Sequence, residues 1–181
     1  MKKAFLFVLF FFTLLSSNSF AEFTFVQTRV VTSDTPGVRG INFKPDGTIM
    51  YITNRETDPA TGSAYIIEYS LSTPFDISTA TISFSGGKPK GTALTCPVEG
   101  VGQMTLPHAI EFKPDGTKMF ILEQSSNRIA EYKLSTPFDP DSKDSGVGIS
   151  ISKVANQAYQ GFGMSSDGKK MFVVKADHSG D

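Results

Sequence analysis

The chain of 181 residues carries 17 Lys and Arg against 18 Asp and Glu, which gives a net charge of −1. This balance excludes the strongly basic surface that nucleic acids and anionic membranes attract. A single cysteine, Cys96, also excludes a disulfide within the chain. We expect Cys96 to be an unpaired loop thiol, and the alternative is a partner outside this chain.

The first 21 residues have the pattern of a signal peptide. Lys2 and Lys3 precede an apolar run at 4–15, and Ser19 and Ala21 stand at the small-residue positions of a cleavage site. The apolar run is too short to span a hydrocarbon core comfortably, which argues against an uncleaved anchor. Removing 1–21 from the 181 residues leaves 160 residues, enough for one domain, with a net charge of −3. We therefore expect export to the periplasm or the exterior, with no membrane span after signal removal.

One hairpin motif recurs three times along the chain. It reads FKPDGTIMYI at 43–52, FKPDGTKMFI at 112–121 and MSSDGKKMFV at 164–173. Each copy places a short strand before an Asp-Gly turn, in which Gly supplies a positive φ and the first two copies add Pro at the first corner. The apolar strand after each turn does not alternate with polar residues, which predicts a strand covered on both faces.

The next strand does alternate, in both of the longer copies. Ile67, Tyr69 and Leu71 point one way while Glu68 and Ser70 point the other, and residues 130–134 repeat the pattern. Both copies then run into Ser-Thr-Pro-Phe-Asp, at 72–76 and 135–139, and a fourth strand is expected at 80–84 and 147–154. Four antiparallel strands per unit, repeating roughly every fifty to seventy residues, predict an all-β fold: a β-propeller of four-stranded antiparallel blades.

This interpretation divides the mature chain into five segments. They are a stray outer strand and loop (22–38), blade one (39–84), an inter-blade loop (85–107), blade two (108–154) and half of blade three (155–181). Closed propellers need about four to eight blades. We therefore expect the N-terminal part of a longer chain whose remaining blades close the ring. The alternative is closure by self-association.

The same repeat motifs resemble those of a known family. PDGTxMYI followed by IxEYxLSTPFD resembles the exported bacterial propeller repeats of the YVTN and NHL-like kind, and MYITN at 50–54 is close to the motif behind the first name. The resemblance covers essentially the whole mature chain, although the third copy departs from it with Ser166 in place of Pro. It implies a fold rather than a function, because such repeats serve binding, scaffolding and, less often, catalysis.

Strand direction sorts the connections onto two rims. The Asp-Gly and Thr-Pro-Phe-Asp turns fall on one rim, here called the turn rim, and the other connections fall on the opposite loop rim. The turns match almost letter for letter, whereas the loop-rim connections at 54–64, 85–107 and 123–127 differ in length and sequence. Irregular loops on one rim of a repeat scaffold often carry function, so Asn54, Arg55 and Glu123 are candidate ligand contacts. The alternative is neutral insertion into solvent.

A sharper set of candidates comes from aligning the units on their Asp-Gly turns. Arg39, His108 and Gln160 each stand just before an innermost strand, at the loop rim. The residues that follow them are small, as suits strands that crowd near a central axis. We expect the three polar side chains to line the mouth of a central channel and to contact a small or peptide-like ligand. The alternative is that these positions are simply exposed and polar.

Metal and cofactor signals are weak. His108 and His178 are the two histidines, and no HxH or HxxxH spacing exists, so no metal site is expected. Asp139, Asp141 and Asp144 resemble part of a calcium loop, but Ser150 stands where a bidentate Glu should close it, which favours a solvated turn. A nucleophile elbow, a phosphate loop and a cysteine pair are all missing, so we expect neither a cofactor nor a catalytic residue.

The function expected from the sequence is that of an exported, non-catalytic propeller that binds a protein, peptide or small ligand through the loop rim. Nucleic acid is not an expected partner. One alternative is a propeller enzyme, such as a lactonase-like hydrolase or a quinone-dependent dehydrogenase, in which His108 and Arg39 would be suspected. Another is a surface or adhesion module of a larger protein.

Overall fold

A computed structural model describes residues 27–28, 37–55, 64–82, 84–85, 88–89, 91–94, 104–124, 128–150 and 157–177. The expected signal peptide, Cys96 and His178 lie outside the described residues, as does all of the expected stray outer strand except 27–28. Within the described part of the chain, no helix is long and apolar enough to cross a membrane.

The described strands follow the predicted order, with two short 3-10 helices at Ile77–Thr79 and Pro140–Ser142. The strands are β1 (Val38–Phe43), β2 (Ile49–Asn54), β3 (Tyr65–Leu71), β4 (Ala80–Ile82), β5 (Phe84–Ser85), β6 (Lys88–Pro89), β7 (Gly91–Ala93), β8 (Pro107–Phe112), β9 (Lys118–Glu123), β10 (Arg128–Lys133), β11 (Val147–Ser150), β12 (Gln157–Met164) and β13 (Met171–Asp177).

Apart from a short two-stranded sheet of β5 and β6, the described strands form three successive antiparallel sheets. Blade one has the order β1-β2-β3-β4, blade two has β8-β9-β10-β11, and the third sheet pairs β12 with β13. The first strands of the three sheets are neighbours, since β8 contacts β1 on one side and β12 on the other. The predicted all-β fold, with four-stranded antiparallel blades arranged side by side, is confirmed.

The connection between blades one and two differs from the plain loop expected at 85–107. Its strand β7 pairs with the first half of β3, while β4 pairs with the second half, so the two short strands share the outer edge of blade one. Farther along, Leu94 and Met104 are fully buried in the core between the two blades. The segment therefore contributes a strand and core side chains as well as a connection.

The turn rim is built from paired turns. Gly47 and Gly116 have φ of 72° and 71°, as the hairpin motif predicts. The rings of Phe75 and Phe138 lie against these glycines, so a Cβ added at either glycine would come within 2.3 Å of ring carbon. Phe75 N donates to Gly47 O at 2.9 Å, and Phe138 N donates to Gly116 O at 3.0 Å. The two kinds of turn thus lie together, which confirms their predicted assignment to one rim.

Each phenylalanine occupies what we call a Phe socket, formed by the Asp-Gly glycine and the aromatic residue that ends the first strand. The ring centroids of Phe43 and Phe75 are 5.8 Å apart, and those of Phe112 and Phe138 are 5.7 Å apart. Both socket phenylalanines adopt the left-handed backbone region, with φ of 59° for Phe75 and 62° for Phe138. Non-glycine residues rarely adopt this conformation, so its repetition indicates that the ring contact holds it in place.

Each face of blade two packs against a different neighbouring blade. In the second strand of blade two, Met119 and Ile121 are buried against blade one, whereas Phe120 and Leu122 are buried against blade three. This alternation explains why residues 119–122 are all apolar, because both faces of that strand lie within the molecule.

The outward face of the third sheet is open in the structure. Phe172 and Val174, which occupy in β13 the positions of Phe120 and Leu122, are 61% and 63% exposed. On the outward face of blade one, Ile41 is 58% exposed, whereas Met50 and Ile52 are buried. Exposed apolar side chains of this size are typical of a surface that packs against something else.

Candidate ligand site at the loop rim

A β-bulge interrupts each inner strand at the candidate residue that the alignment of the repeats identified. Between β8 and β9 the register moves from Pro107–Glu123 to Ala109–Leu122, which leaves His108 as the extra residue. Between β12 and β13 it moves from Tyr159–Lys175 to Gly161–Val174, which leaves Gln160 as the extra residue.

Blade one has the corresponding shift between Val38 and Ile41, the stretch that contains Arg39. Bulges re-aim side chains and are frequent next to functional sites. We call Arg39, His108 and Gln160 the bulge ring.

The inner strands approach each other closely beside the bulge ring. A Cβ added to Gly40 would lie 2.7 Å from the carbonyl oxygen of His108 and 2.9 Å from Cα of Ala109. The prediction that a small residue is needed at this position is therefore confirmed for Gly40. At Gly161 nothing lies within 4 Å of an added Cβ, so the same crowding does not apply there.

The surroundings of His108 favour its neutral form. Partial burial lowers the pKa of His108 below its ordinary value of 6.5, and the positive charge of Arg39 lowers it further. The negative charge of Glu123 and a hydrogen bond with the Gln124 side chain oppose this effect. The first two members of the bulge ring are therefore electrostatically coupled across the boundary between blades one and two.

The three members differ in exposure. Arg39 and Gln160 are exposed, whereas His108 is half-buried. All three lie at the loop-rim ends of neighbouring inner strands, since the bulges occupy matching registers. Together they offer a fixed cation, a neutral imidazole and an amide, which can donate to and accept from a polar ligand.

The other candidates, Asn54, Arg55 and Glu123, are placed differently. Asn54 and Glu123 end the second strands of their blades and are fully buried. Asn54 Nδ2 donates to the Tyr65 hydroxyl at 3.2 Å, and Leu106 N lies 3.2 Å from both carboxylate oxygens of Glu123. These contacts give both residues a role in holding the blade ends together. Arg55 is exposed. A ligand contact at any of the three stays a prediction.

Two residues near the ring were not singled out from the sequence. Gln124 bonds to His108 and also donates from Nε2 to the carbonyl oxygen of Tyr159 at 3.4 Å, so it links blades two and three. Thr53 is fully buried, and its Oγ1 accepts from Gly40 N at 2.7 Å beside the first bulge. Gln124 adjoins a predicted residue, but the role of Thr53 depends on the bulge, which no local letter pattern marks.

A second polar contact joins the inner strands below the ring. Asn42 Nδ2 donates to the Glu111 carboxylate at 2.9 Å and to the carbonyl oxygen of Ile110 at 3.2 Å. Burial raises the pKa of Glu111, and the hydrogen bond from Asn42 partly offsets the increase. This pair extends the polar lining of the inner strands beyond the bulge ring.

The acidic residues grouped in the structure differ from the set expected at 139–144. Carboxylate oxygens of Glu68, Asp139 and Asp141 lie within 4.8 Å of one another, and Glu68 comes from the neighbouring blade. Asp139 caps the backbone N–H of Asp141 at 3.0 Å, and Thr92 Oγ1 donates to Asp141. Asp144 instead accepts from Gly146 N at 2.9 Å. The oxygen donors suit a hard cation, and the expectation of no metal stays a prediction.

Comparison with known proteins extends the fold assignment. No protein-family profile matches the chain, and the search of curated proteins finds no relative. Among solved structures, the chain is similar to a propeller-like protein from Lactobacillus plantarum, with 17% identity and a TM-score of 0.50. The match covers 76% of this chain and 34% of that chain. At this level of identity the similarity shows the β-propeller fold alone.

Proposed function

We propose that this protein is an exported, non-catalytic β-propeller that binds a protein, peptide or small ligand through the bulge ring of Arg39, His108 and Gln160. The observation that supports this proposal is the recurrence of a β-bulge at one position in three successive inner strands. A bulge disrupts the regular hydrogen-bonded ladder of a sheet, so its presence in all three copies, with a different polar residue at each, favours a role for the side chains that it re-aims.

The chemistry of the ring suggests the class of ligand. Arg39 carries a permanent positive charge, and His108 is mostly neutral at pH 7 because its pKa is lowered. A ligand with a carboxylate and further hydrogen-bonding groups would suit this set. Small carboxylic acids and short peptides with a free carboxyl terminus are therefore the first probes to test.

The test is a ligand-observed NMR screen of small carboxylic acids and short peptides against the purified protein. Arg39→Ala combined with His108→Ala should weaken binding of any hit by at least about tenfold, since a charged hydrogen bond contributes about 1.5–3 kcal/mol. Lys133→Ala, an exposed lysine on β10, is the matched control and should leave binding unchanged. Equal affinity of the ring variant and the unmodified protein would discard the site.

The pH dependence provides a second check. When the pH falls through the lowered pKa of His108, its protonation adds a second positive charge beside Arg39, so an anionic hit should bind more tightly. The increase should be absent in His108→Gln.

Export is proposed from the pattern of residues 1–21. It is tested by fractionation and by mass spectrometry of the exported product, whose first residue should be Glu22.

A further inference from the structure

Gln124, which directly follows β9, is hydrogen-bonded through both its backbone and its side chain. Its backbone N–H donates to the carbonyl oxygen of Leu106 at 3.0 Å. Its Nε2 donates to the carbonyl oxygen of Tyr159 in the third sheet at 3.4 Å. The same side-chain amide forms a hydrogen bond with His108 of blade two. Gln124 therefore connects the imidazole of His108 to two backbone positions that belong to different sheets.

The carbonyl of Tyr159 determines which atom of the Gln124 amide faces His108. A carbonyl oxygen can only accept a hydrogen bond, so the amide nitrogen is the atom that faces Tyr159. The amide oxygen is left for His108, and it accepts a hydrogen bond from one imidazole N–H. The effect of this bond agrees with that direction, because the bond favours the protonated imidazole and raises the pKa of His108.

This arrangement fixes what His108 offers to a ligand. A neutral imidazole has one N–H and one nitrogen that accepts. Because the N–H is used by Gln124, the other ring nitrogen is left as an acceptor. Partial burial and the charge of Arg39 both lower the pKa of His108 and so favour this neutral form. The bulge ring therefore presents a hydrogen-bond acceptor next to a permanent cation.

The order of the bulge ring along the array supplies the rest of the pattern. The inner strand β8, which carries His108, contacts β1 on one side and β12 on the other. The acceptor therefore stands between the cation of Arg39 and the amide of Gln160. At the free carboxyl terminus of a peptide, the last N–H likewise stands between the carboxylate and the preceding peptide group. An amide side chain both donates and accepts, so Gln160 suits that preceding group.

We propose that the bulge ring binds the carboxyl-terminal residue of a peptide, whose carboxylate contacts Arg39 and whose N–H donates to His108, and that Gln124 is the positioning residue that orients the imidazole. The inference rests on the proposed function, which it narrows from carboxylates in general to carboxylates with an N–H on the adjacent carbon. Capture of a terminal carboxylate is a recurring mode of peptide recognition.

The probes are acetylglycylglycine and its ester analogue acetylglycylglycolic acid, in which an oxygen atom replaces the last N–H. Both carry the carboxylate and a planar linkage, so they differ in the group that would meet His108. Titrations followed by protein NMR should show the peptide binding at least about fivefold more tightly, because the ester leaves the imidazole acceptor unpaired. This comparison leaves the protein unaltered, so it does not depend on a variant folding. Equal affinity of the two acids, or no binding of the peptide, would overturn the inference.

Failure of this inference is distinguishable from failure of the proposed function. If both acids bind equally and Arg39→Ala with His108→Ala weakens both, the proposed function stands and the inference falls. If the double variant binds both acids as tightly as the unmodified protein does, both fall. Acetylglycylglycinamide, which lacks the carboxylate, should bind at least about tenfold more weakly than the peptide. Equal binding of this amide would overturn the assignment of the carboxylate to Arg39.

The role of Gln124 is tested with Gln124→Met, which removes the amide and keeps a side chain of similar length. The imidazole then loses its fixed orientation, so the ratio of peptide affinity to ester affinity should fall towards one. A purely structural role would weaken both acids equally and leave the ratio unchanged, which would overturn the assignment. Lys133→Met, at an exposed lysine on β10, is the matched control and should keep the ratio of the unmodified protein.

The pH profile of the same ratio provides a further check. When the pH falls through the lowered pKa of His108, the imidazole gains a second N–H and no longer accepts. The ester should then gain affinity relative to the peptide, and the ratio should fall towards one. Arg39 on β1 and Glu123 on β9 are the charged groups that act on the imidazole, and a change at either affects both acids alike. A constant ratio across the titration of His108, followed by its imidazole proton resonances, would contradict recognition by the neutral ring.

Discussion

The residue with the least expected conformation is the phenylalanine of the Thr-Pro-Phe-Asp turn. A left-handed backbone costs a non-glycine residue about 1–2 kcal/mol, and both Phe75 and Phe138 adopt it. The letters of the turn are identical in the two copies, yet they do not reveal this conformation. It depends on a distant glycine whose missing side chain leaves room for the ring. For Phe75 this is Gly47, nearly thirty residues earlier, and for Phe138 it is Gly116, more than twenty residues earlier.

Phe138→Ala should lower the free energy of unfolding by about 3 kcal/mol, because its ring packs into the core between two blades. Phe75→Ala is the matched comparison and should cost about 1 kcal/mol, since the ring of Phe75 is 55% exposed. Urea unfolding followed by circular dichroism measures both values. Equal losses would show that the ring contact with glycine, rather than burial between blades, determines the stability.

Glu111 gives a prediction for the pH dependence of stability. Its pKa is raised above the ordinary value of 4.5 by burial, so the folded state binds a proton more readily than the unfolded state. The associated stability is present below pH 4.5 and is lost as the pH rises through the raised pKa.

Glu111→Gln should therefore stabilise the protein at pH 7, by less than about 1 kcal/mol because solvent screens a half-buried group. The variant should also show a flatter profile of melting temperature from pH 4 to 7. Destabilisation at pH 7 would show that the charged carboxylate is needed by Asn42.

At the scale of the element, the contact between inner strands depends on one glycine. Gly40→Ala would force a Cβ against the backbone of the neighbouring strand, whereas Gly161→Ala would add a Cβ with open space around it. We expect Gly40→Ala to cost about 2 kcal/mol, as for overpacking, and Gly161→Ala to change stability by less than about 0.5 kcal/mol. Thermal unfolding of the two variants is the measurement, and similar losses would contradict the close approach of β1 and β8.

The elements that sequence could predict are those fixed by local chemistry. Apolar runs, alternation and Asp-Gly turns identified the strands of blades one and two and their order, and residues 38–54 and 107–123 follow that prediction closely. The fourth strand expected at 80–84 instead ends at Ile82, and Phe84 begins β5, which pairs with β6. The short strand β7 could not be predicted, because its pairing with β3 is made across a long connection. The bulges were equally hidden, although the alignment of Arg39, His108 and Gln160 found the positions at which they occur.

For the whole molecule, the exposed face of the third sheet predicts association. Phe172→Lys with Val174→Thr should reduce any dependence of the sedimentation coefficient on protein concentration, because it removes two large apolar side chains from water. Val147→Lys is the control, since Val147 is 59% exposed on the outer strand of blade two. A control variant that reduced association as strongly would assign the effect to general solubility.

The direction in which the second strands present their side chains has a consequence for how such a molecule can evolve. Blade two offers one set of residues to the blade before it and a complementary set to the blade after it. Unequal recombination that gained or lost a whole unit would therefore leave each junction chemically familiar to its neighbours. An array of blades built in this way can therefore change its length by copy number, because each new junction joins two faces of the kinds that already meet.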